Sequence, residues 1–224
     1  MKNDFFNNIT HELRTPISIL KTANDALYRY GQAADPEKTR RYLKINAEIL
    51  EKLDHNVDRI LEITQYEQGT RLAKEEPVNL DKLIGEVIAR FSGSEAVSVQ
   101  YAYELNKEIV VTDKYVVDTV LSNLLDNSIK YADKAVMIEI AVTPLSKGWQ
   151  IEVKDNGNGI PDMHLPYIFD KFYRVQDGDL HTVKGYGLGL SYVKQLVTAV
   201  KGEISVKSKE GAGAIFTIKF PSYG

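Results

Sequence analysis

The chain has 224 residues, of which 43% are hydrophobic, and a formal net charge of −3 at pH 7. This length and hydrophobic content suit two small domains, each with its own core. The net charge provides no overall positive field, which argues against nucleic acid as a partner. The sequence contains no cysteine, which excludes disulfides, thiolate nucleophiles and cysteine-bound zinc and suits a reducing compartment.

The apolar runs of the chain are short. A membrane-spanning helix needs about 18 or more apolar residues in a row, and no such run occurs. The first residues also lack the apolar core of a signal peptide. We therefore expect a soluble chain that makes no membrane contact of its own.

The first 69 residues have the spacing of two paired helices. The positions that step by threes and fours are Phe6, Ile9, Leu13, Ile17, Leu20, Asn24 and Leu27, and then Leu43, Asn46, Leu50, Leu53, Val57, Ile60 and Thr64. Such spacing is typical of a bundle seam, and Gly31, Asp35 and Pro36 mark the connection. The pattern predicts a helical hairpin over residues 3–69. Because one hairpin leaves its seam exposed, we predict a homodimer that closes a four-helix bundle.

Residues 70–77 are polar, lack the heptad and end in proline, which indicates a linker. From residue 78 onward, short β-branched runs alternate with helical segments. The predicted strands are 97–103, 136–142, 149–154, 203–208 and 214–220, and the predicted helices are 80–91, 114–131 and 188–200. This alternation predicts an α/β two-layer sandwich.

His11 and Glu12 form the first candidate site. His11 lies two residues after Ile9 and two before Leu13, off the apolar seam, so its ring should face solvent. An imidazole with a pKa of about 6.5 keeps a nucleophilic lone pair near neutral pH, and a carboxylate at the other nitrogen selects the tautomer. A surface histidine beside a solvated glutamate is the alternative. A zinc-protease motif is excluded because position 15 is Thr15 rather than histidine.

Asn123, Asn127 and Lys130 share one face of the predicted helix 114–131. Amides are weak helix formers, so two of them aligned with a lysine are unusual. Amide oxygens that leave room for water suit Mg²⁺, and an ammonium offsets phosphate charge. The face is therefore a candidate site for Mg²⁺ and a triphosphate, with an ordinary polar helix face as the alternative.

Two glycine segments follow this helix. Asp155 ends a predicted strand, and Gly157 and Gly159 in the next turn allow a ligand to approach closely, although such turns are common. Residues 185–190 open the predicted helix 188–200, so backbone N–H groups and the helix dipole face an anion. The second segment matches neither the P-loop nor the dinucleotide-binding pattern.

The segment between the two glycine segments is long and carries aromatic and basic side chains, namely Phe169, Lys171, Phe172, Tyr173 and Arg174. A loop of this length is usually functional, and these side chains fit a mobile lid over a nucleotide. Residues 211–216, Gly-Ala-Gly-Ala-Ile-Phe, are either a third glycine segment of the same site or a simple hairpin turn.

In this order the motifs resemble the catalytic core of a two-component sensor histidine kinase, over nearly all of the chain. The resemblance implies a dimerisation and phosphotransfer domain over 1–69, a linker over 70–77, and an ATP-binding sandwich of the Bergerat (GHKL) type over 78–224. It implies that His11 takes the γ-phosphoryl group of ATP with Glu12 as base and passes it to an aspartate of a response regulator. It further implies that Thr15 positions water when the regulator is dephosphorylated, and that sensor segments, often membrane-anchored, lie upstream.

The resemblance also assigns the nucleotide site. Asp155 matches the aspartate that accepts the adenine amino hydrogen, and Asn127 and Asn123 match the Mg²⁺ ligands. The implied binding residues are Asn123, Asn127, Lys130, Tyr131, Asp155, Gly157, Gly159, Phe172, Arg174, Gly185, Gly187, Leu188 and Gly189. Two alternatives from other classes remain: a dimeric scaffold that binds ATP without catalysis, and an ATPase that makes no phosphoprotein.

Overall fold

The structure is a computed structural model that describes residues 14, 16–28, 36–67, 73–93, 96–132, 135–171, 173–175 and 187–222. Within 36–67 the description excludes the side chains of residues 52, 55, 56 and 58–67. The chain divides into two compact units, Met1–Thr70 and Arg71–Gly224. In the described ranges no helix is both long enough and apolar enough to cross a lipid bilayer.

The first unit contains helix α1, residues 16–28, and helix α2, Pro36–Glu67. The predicted hairpin is confirmed as a pair of helices, although its connection lies outside the described residues. Ala23 on α1 is buried, whereas Leu43, Leu50 and Val57 on α2 expose 55%, 57% and 45% of their surface. These three residues are spaced by seven, so they form one apolar stripe along α2.

The second unit is built on a five-stranded mixed sheet. Its strands are β2 (Val97–Tyr103), β4 (Val136–Leu145), β5 (Gly148–Asp155), β6 (Glu203–Ser208) and β7 (Ala214–Pro221), in the order β2-β4-β5-β7-β6. Strand β2 runs parallel to β4, and the other neighbours are antiparallel. All five predicted strands are confirmed, and three of them are longer than predicted by one to three residues.

Two short strands were not predicted. Strand β1, Glu76–Asn79, pairs antiparallel with β3, Ile109–Thr112. The first two residues of β1 lie in the predicted linker 70–77, which was assigned because the segment is polar, lacks the heptad and ends at Pro77. A proline is tolerated in such a two-stranded edge ladder, and a strand of four residues is too short for its alternation to be recognised.

Three helices complete the second unit, α3 (Leu80–Phe91), α4 (Lys114–Lys130) and α5 (Gly189–Ala199). Helix α4 was predicted one residue too long at its C-terminus, and α5 one residue too long at each end. Asp113 caps α4: one carboxylate oxygen accepts the Val116 N–H at 3.1 Å, and the other accepts the Lys74 N–H at 2.8 Å. The segment that leads into β1 is thereby tied to the start of α4.

The core lies on one face of the five-stranded sheet. Alternate residues of β4, β5 and β7 are buried, and the register places Ile140 beside Val153 and Val153 beside Phe216. The opposite face is polar and carries an ion pair between Glu139 and Lys154 at 2.9 Å. The two-layer α/β sandwich is confirmed, and it brings the end of β5 close to the C-terminal turn of α4.

Candidate nucleotide site

Asp155 is the last residue of β5 and is buried, with 9% of its surface exposed. Its Oδ1 accepts the backbone N–H of Gly157 at 2.9 Å and that of Ala214 at 3.2 Å. Its Oδ2 lies 3.2 Å from the hydroxyl of Ser128 on α4. A carboxylate is therefore held in fixed geometry by three donors from three separate segments.

The turn after Asp155 is braced against its neighbours. The Asn158 N–H donates to the Tyr131 carbonyl at 3.1 Å, and the Gly211 N–H donates to the Asn158 carbonyl at 2.7 Å. Ser208 accepts the Ile160 N–H at 2.8 Å through its hydroxyl oxygen, which is also 2.7 Å from the Gly213 carbonyl. The β6–β7 hairpin and the C-terminus of α4 thus hold the turn from both sides.

Two glycines in this region have no room for a side chain. Gly159 has a φ of +69°, and a Cβ on it would lie 2.0 Å from the Lys209 carbonyl oxygen. Gly213 has a φ of +82°, and a Cβ there would lie 2.0 Å from the carbonyl oxygen of Asp155. Both the left-handed backbone and the close approach require glycine. Residues 211–213 are therefore a turn that packs directly on Asp155.

The amide face of α4 meets the N-terminus of α5. Asn123 is buried and donates from Nδ2 to the Thr119 carbonyl at 2.7 Å. A Cβ placed on Gly189, the first residue of α5, would lie 3.4 Å from Asn123 Oδ1 and 4.0 Å from the side-chain amide of Asn127. Leu188, which precedes α5, is buried and supplies no side-chain cap. Two amides therefore lie beside a helix start whose backbone donors suit an anion.

Lys130 and Tyr131 lie at the exposed end of the same helix. The ammonium of Lys130 forms an ion pair with Asp126, one turn earlier, rather than reaching toward the two amides. The ring of Tyr131 is partly exposed, and its carbonyl contacts the turn after Asp155. The structure therefore brings together Asn123, Asn127 and Gly189, and separately Tyr131 and the turn.

Several predicted site residues lie outside the described residues: His11, Glu12, Thr15, Phe172 and Gly185. Of the predicted lid, Arg174 is exposed. Before it, Tyr173 Oη lies 2.6 Å from His164 Nδ1, and Lys194 Nζ on α5 lies 5.7 Å from the centre of the Phe169 ring. The second of these contacts links the described start of the lid segment to α5.

Two hydroxyl residues of the site were missed by sequence analysis. Ser128 directly follows Asn127 and contacts the carboxylate of Asp155, and Ser208 links the turn to the hairpin. Ser128 carried a usable signal, because it is a polar residue on the inward side of a helix. Ser208 carried none, because it ends an ordinary strand.

The oxygen donors that suit a cation here are amides. Across the described ranges, no three His, Asp or Glu side chains converge on a metal position. The amide oxygens of Asn123 and Asn127 would leave most coordination positions to water and phosphate, as Mg²⁺ prefers. Displaced pKa values occur elsewhere, on β2, where burial and then the hydrogen bond to Asp81 raise the pKa of Tyr101.

Comparison with known families covers both units. Residues 1–69 match the His Kinase A (phospho-acceptor) domain. Residues 112–224 match the family of histidine kinase-, DNA gyrase B-, and HSP90-like ATPases. Sensor protein RprX of Bacteroides fragilis is 31% identical over 230 residues, which cover 99% of this chain and 44% of that protein. Sensor protein kinase WalK of Staphylococcus aureus is 30% identical over 224 residues, covering 98% of this chain and 54% of that protein. The chain therefore spans about half the length of both sensor proteins.

Solved structures share the fold. Histidine kinase AdeS of Acinetobacter baumannii superposes with a TM-score of 0.75 at 24% identity, covering 96% of this chain and 98% of that one. Histidine kinase ThkA, crystallised with response regulator protein TrrA, gives a TM-score of 0.74 at 23% identity and covers 98% of this chain and 61% of that one. With the two family matches, these similarities show that the chain belongs to the sensor histidine kinases and comprises their phospho-acceptor and ATPase domains.

Proposed function

We propose that the chain is an ATP-dependent protein-histidine kinase core that transfers the γ-phosphoryl group of ATP to His11. The observation that carries this proposal is the meeting of the Asn123 and Asn127 amides with the start of α5 at Gly189. In this account residues 1–69 are the dimerisation and phosphotransfer domain, 70–77 the linker and 78–224 the ATP-binding domain.

The geometry suggests how ATP lies in the second unit. Asp155 offers a buried acceptor at the end of β5, which suits the amino group of adenine. The glycine-lined turn leaves space for the base, and the start of α5 offers backbone donors to the phosphates. Asn127 and Asn123 would hold Mg²⁺, which would offset the negative charge of the phosphates. Tyr131, Arg174 and the glycines 157, 185 and 187 complete the proposed binding set.

The chemistry at His11 follows from its residue type and its neighbour. One imidazole nitrogen forms a bond to the γ-phosphorus, and the bond from that phosphorus to the bridging oxygen breaks, releasing ADP. Glu12 takes the proton from the other ring nitrogen, so the phosphorylated ring remains neutral. The second unit positions the phosphate and stabilises its charge, which is the main contribution of a protein to phosphoryl transfer.

The proposed acceptor of the phosphoryl group is an aspartate of a response regulator, with Thr15 orienting water in the reverse hydrolysis. The crystallised complex of ThkA with its response regulator supports this class of partner. A groove of about 500 Å³ between α1 and α2 is lined by Arg14, Ser18 and Ile19 among others, and Arg14 is three residues after His11 in sequence. The groove offers a surface on which a regulator can dock.

The proposed assembly is a homodimer. Leu43, Leu50 and Val57 form an exposed apolar stripe on α2. Burying such side chains contributes about 1.5–3 kcal/mol each relative to exposure. A second hairpin would cover the stripe and close a four-helix bundle. We also propose that the core is cytoplasmic and belongs to a longer sensor protein, because the chain spans only 44% and 54% of the two sensor proteins that it resembles.

Incubation with ATP labelled at the γ-phosphate tests the kinase assignment. We expect the chain to acquire a label that is labile in acid and stable in base, as a phosphohistidine is. His11→Gln should abolish the label while ATP affinity is retained, and the matched control His55→Gln, also in the first unit, should label normally. Labelling of the His11→Gln protein, or an acid-stable product, contradicts the proposal. Release of phosphate without protein label would favour the ATPase, and binding without turnover would favour the scaffold.

A further inference from the structure

Ser128 contacts the carboxylate oxygen of Asp155 that the backbone donors do not reach. The two backbone donors, Gly157 and Ala214, both act on Oδ1. Ser128 Oγ lies 3.2 Å from the other oxygen, Oδ2, and both residues are buried. Oδ2 is consequently the oxygen that keeps a lone pair for a ligand, and Ser128 acts on that same atom.

The hydroxyl of Ser128 has one hydrogen and two acceptors within reach. Its oxygen is 3.0 Å from the Leu124 carbonyl and 3.2 Å from Asp155 Oδ2. A hydrogen bond to a carboxylate is stronger than one to a carbonyl that already closes a helical bond, so Asp155 is the favoured acceptor. The bond joins residues on α4 and β5 that are 27 positions apart. It therefore sets the rotation of the carboxylate from the side opposite to its backbone donors.

We propose that Ser128 is a positioning residue that fixes Oδ2 of Asp155 as the acceptor for one N–H of the nucleotide base and thereby sets the preference for a 6-aminopurine. This inference rests on the proposed function, because it assumes that Asp155 receives the base. An orientation fixed before binding lowers the cost of ordering the site. Ser128 also occupies one lone pair of Oδ2, which leaves one lone pair in a fixed direction. That lone pair can accept a hydrogen bond from an amino group of the base, whereas a carbonyl oxygen at the same position would be repelled.

A pair of nucleotides that differ only in the amino group tests the proposal. We would titrate the full chain with ADP and with purine riboside 5′-diphosphate, which lacks the 6-amino group and undergoes no phosphoryl transfer. The wild-type chain should prefer ADP by on the order of tenfold or more, the value of a hydrogen bond to a charged group. In Ser128→Ala this preference should fall about threefold or more, because the affinity for ADP drops while that for the analogue is unchanged.

The readout is the ratio of two dissociation constants. A substitution that only perturbs the fold raises both constants by the same factor, and this factor cancels in the ratio. Ser128→Thr keeps the hydroxyl and should retain the preference for ADP. Thr198→Ala is a matched control, because the Thr198 hydroxyl also donates to the carbonyl four residues earlier, at 2.7 Å, but on the exposed side of α5. It should change neither constant.

Each other outcome overturns a specific step. If Ser128→Ala weakens both nucleotides by the same factor, or leaves or increases the preference for ADP, then Ser128 has only a structural role and the inference is wrong. If the wild-type chain binds both nucleotides equally, Asp155 does not accept the 6-amino group of the base, and the inference about Ser128 is wrong as well. If the wild-type chain binds neither, the proposed function itself is contradicted.

Discussion

Gly159→Ala should destabilise the second unit and weaken ATP binding together. Alanine at a φ of +69° costs about 1 kcal/mol. The new Cβ would lie 2.0 Å from the Lys209 carbonyl oxygen, which is backbone and cannot rotate away. The turn and the hairpin must separate, which disrupts the bonds Gly211–Asn158 and Ile160–Ser208 at about 1 kcal/mol each.

The expected loss is therefore about 3 kcal/mol, which for a unit of this size corresponds to a melting temperature lower by about 6–12 °C. Gly85→Ala is the matched control. Gly85 lies within α3 and is exposed, and a Cβ on it would have no described atom from outside its own helix within 4 Å. Alanine there should stabilise the helix by about 0.5–1 kcal/mol, because it forms helix better than glycine.

Scanning calorimetry of both variants, with and without ATP, measures the effect. Gly159→Ala should melt earlier and gain little from ATP, because the turn that follows Asp155 is displaced, whereas Gly85→Ala should melt slightly later and respond to ATP as the wild type does. Equal melting temperatures for Gly159→Ala and the wild type would refute the close packing of turn and hairpin. A stable Gly159→Ala with normal ATP stabilisation would refute the position of the nucleotide.

Three further predictions concern the metal, the residues that follow His11 in sequence, and the folding stability at alkaline pH. Asn127→Ala should weaken ATP binding only with Mg²⁺ present, and Asp155→Asn should weaken it in both conditions; equal calorimetric effects with and without Mg²⁺ would contradict these roles. Thr15→Ala should phosphorylate itself normally but dephosphorylate a regulator slowly, and Glu12→Gln should show the reverse; loss of both activities in Thr15→Ala would make Thr15 structural. The pKa of Tyr101 is raised above its ordinary value of 10.0 in the folded chain. The free energy of unfolding should therefore be independent of this group below about pH 10 and fall as the pH rises further, because the unfolded chain releases a proton that the folded chain keeps. Tyr101→Phe should flatten that decline in denaturant midpoints, and an unchanged pH dependence would contradict it.

Local patterns predicted most of the fold. The heptad predicted the helical pair, and alternation predicted the five strands of the main sheet, because each pattern is complete within one element. Strands β1 and β3 were missed because each has four residues and is defined by a partner that is thirty or more positions away. Asp113 shows both cases. Its cap on α4 is local and predictable, whereas its bond from Lys74 spans 39 positions.

The candidate site shows the same division. The turn residues and the amide face were found because glycine, asparagine and aspartate have distinct local chemistry. Ser128 was missed because its partner lies on another element. Lys130 was assigned to phosphate from its place on the helix, and that assignment stays a prediction. The structure pairs its ammonium with Asp126 at the favoured i, i+4 spacing, a contact that its place on the face did not indicate.

The most direct test of the central claim is to locate the phosphoryl group. The chain would be incubated with ATP and Mg²⁺, digested with trypsin at alkaline pH to preserve a phosphohistidine, and mapped by mass spectrometry. Cleavage after Lys2 and Arg14 releases the peptide 3–14, which contains one histidine, His11. We expect this peptide to carry the phosphoryl group on the imidazole of His11. A phosphoryl group on any other peptide, or none anywhere after ATP has been bound and consumed, would contradict it.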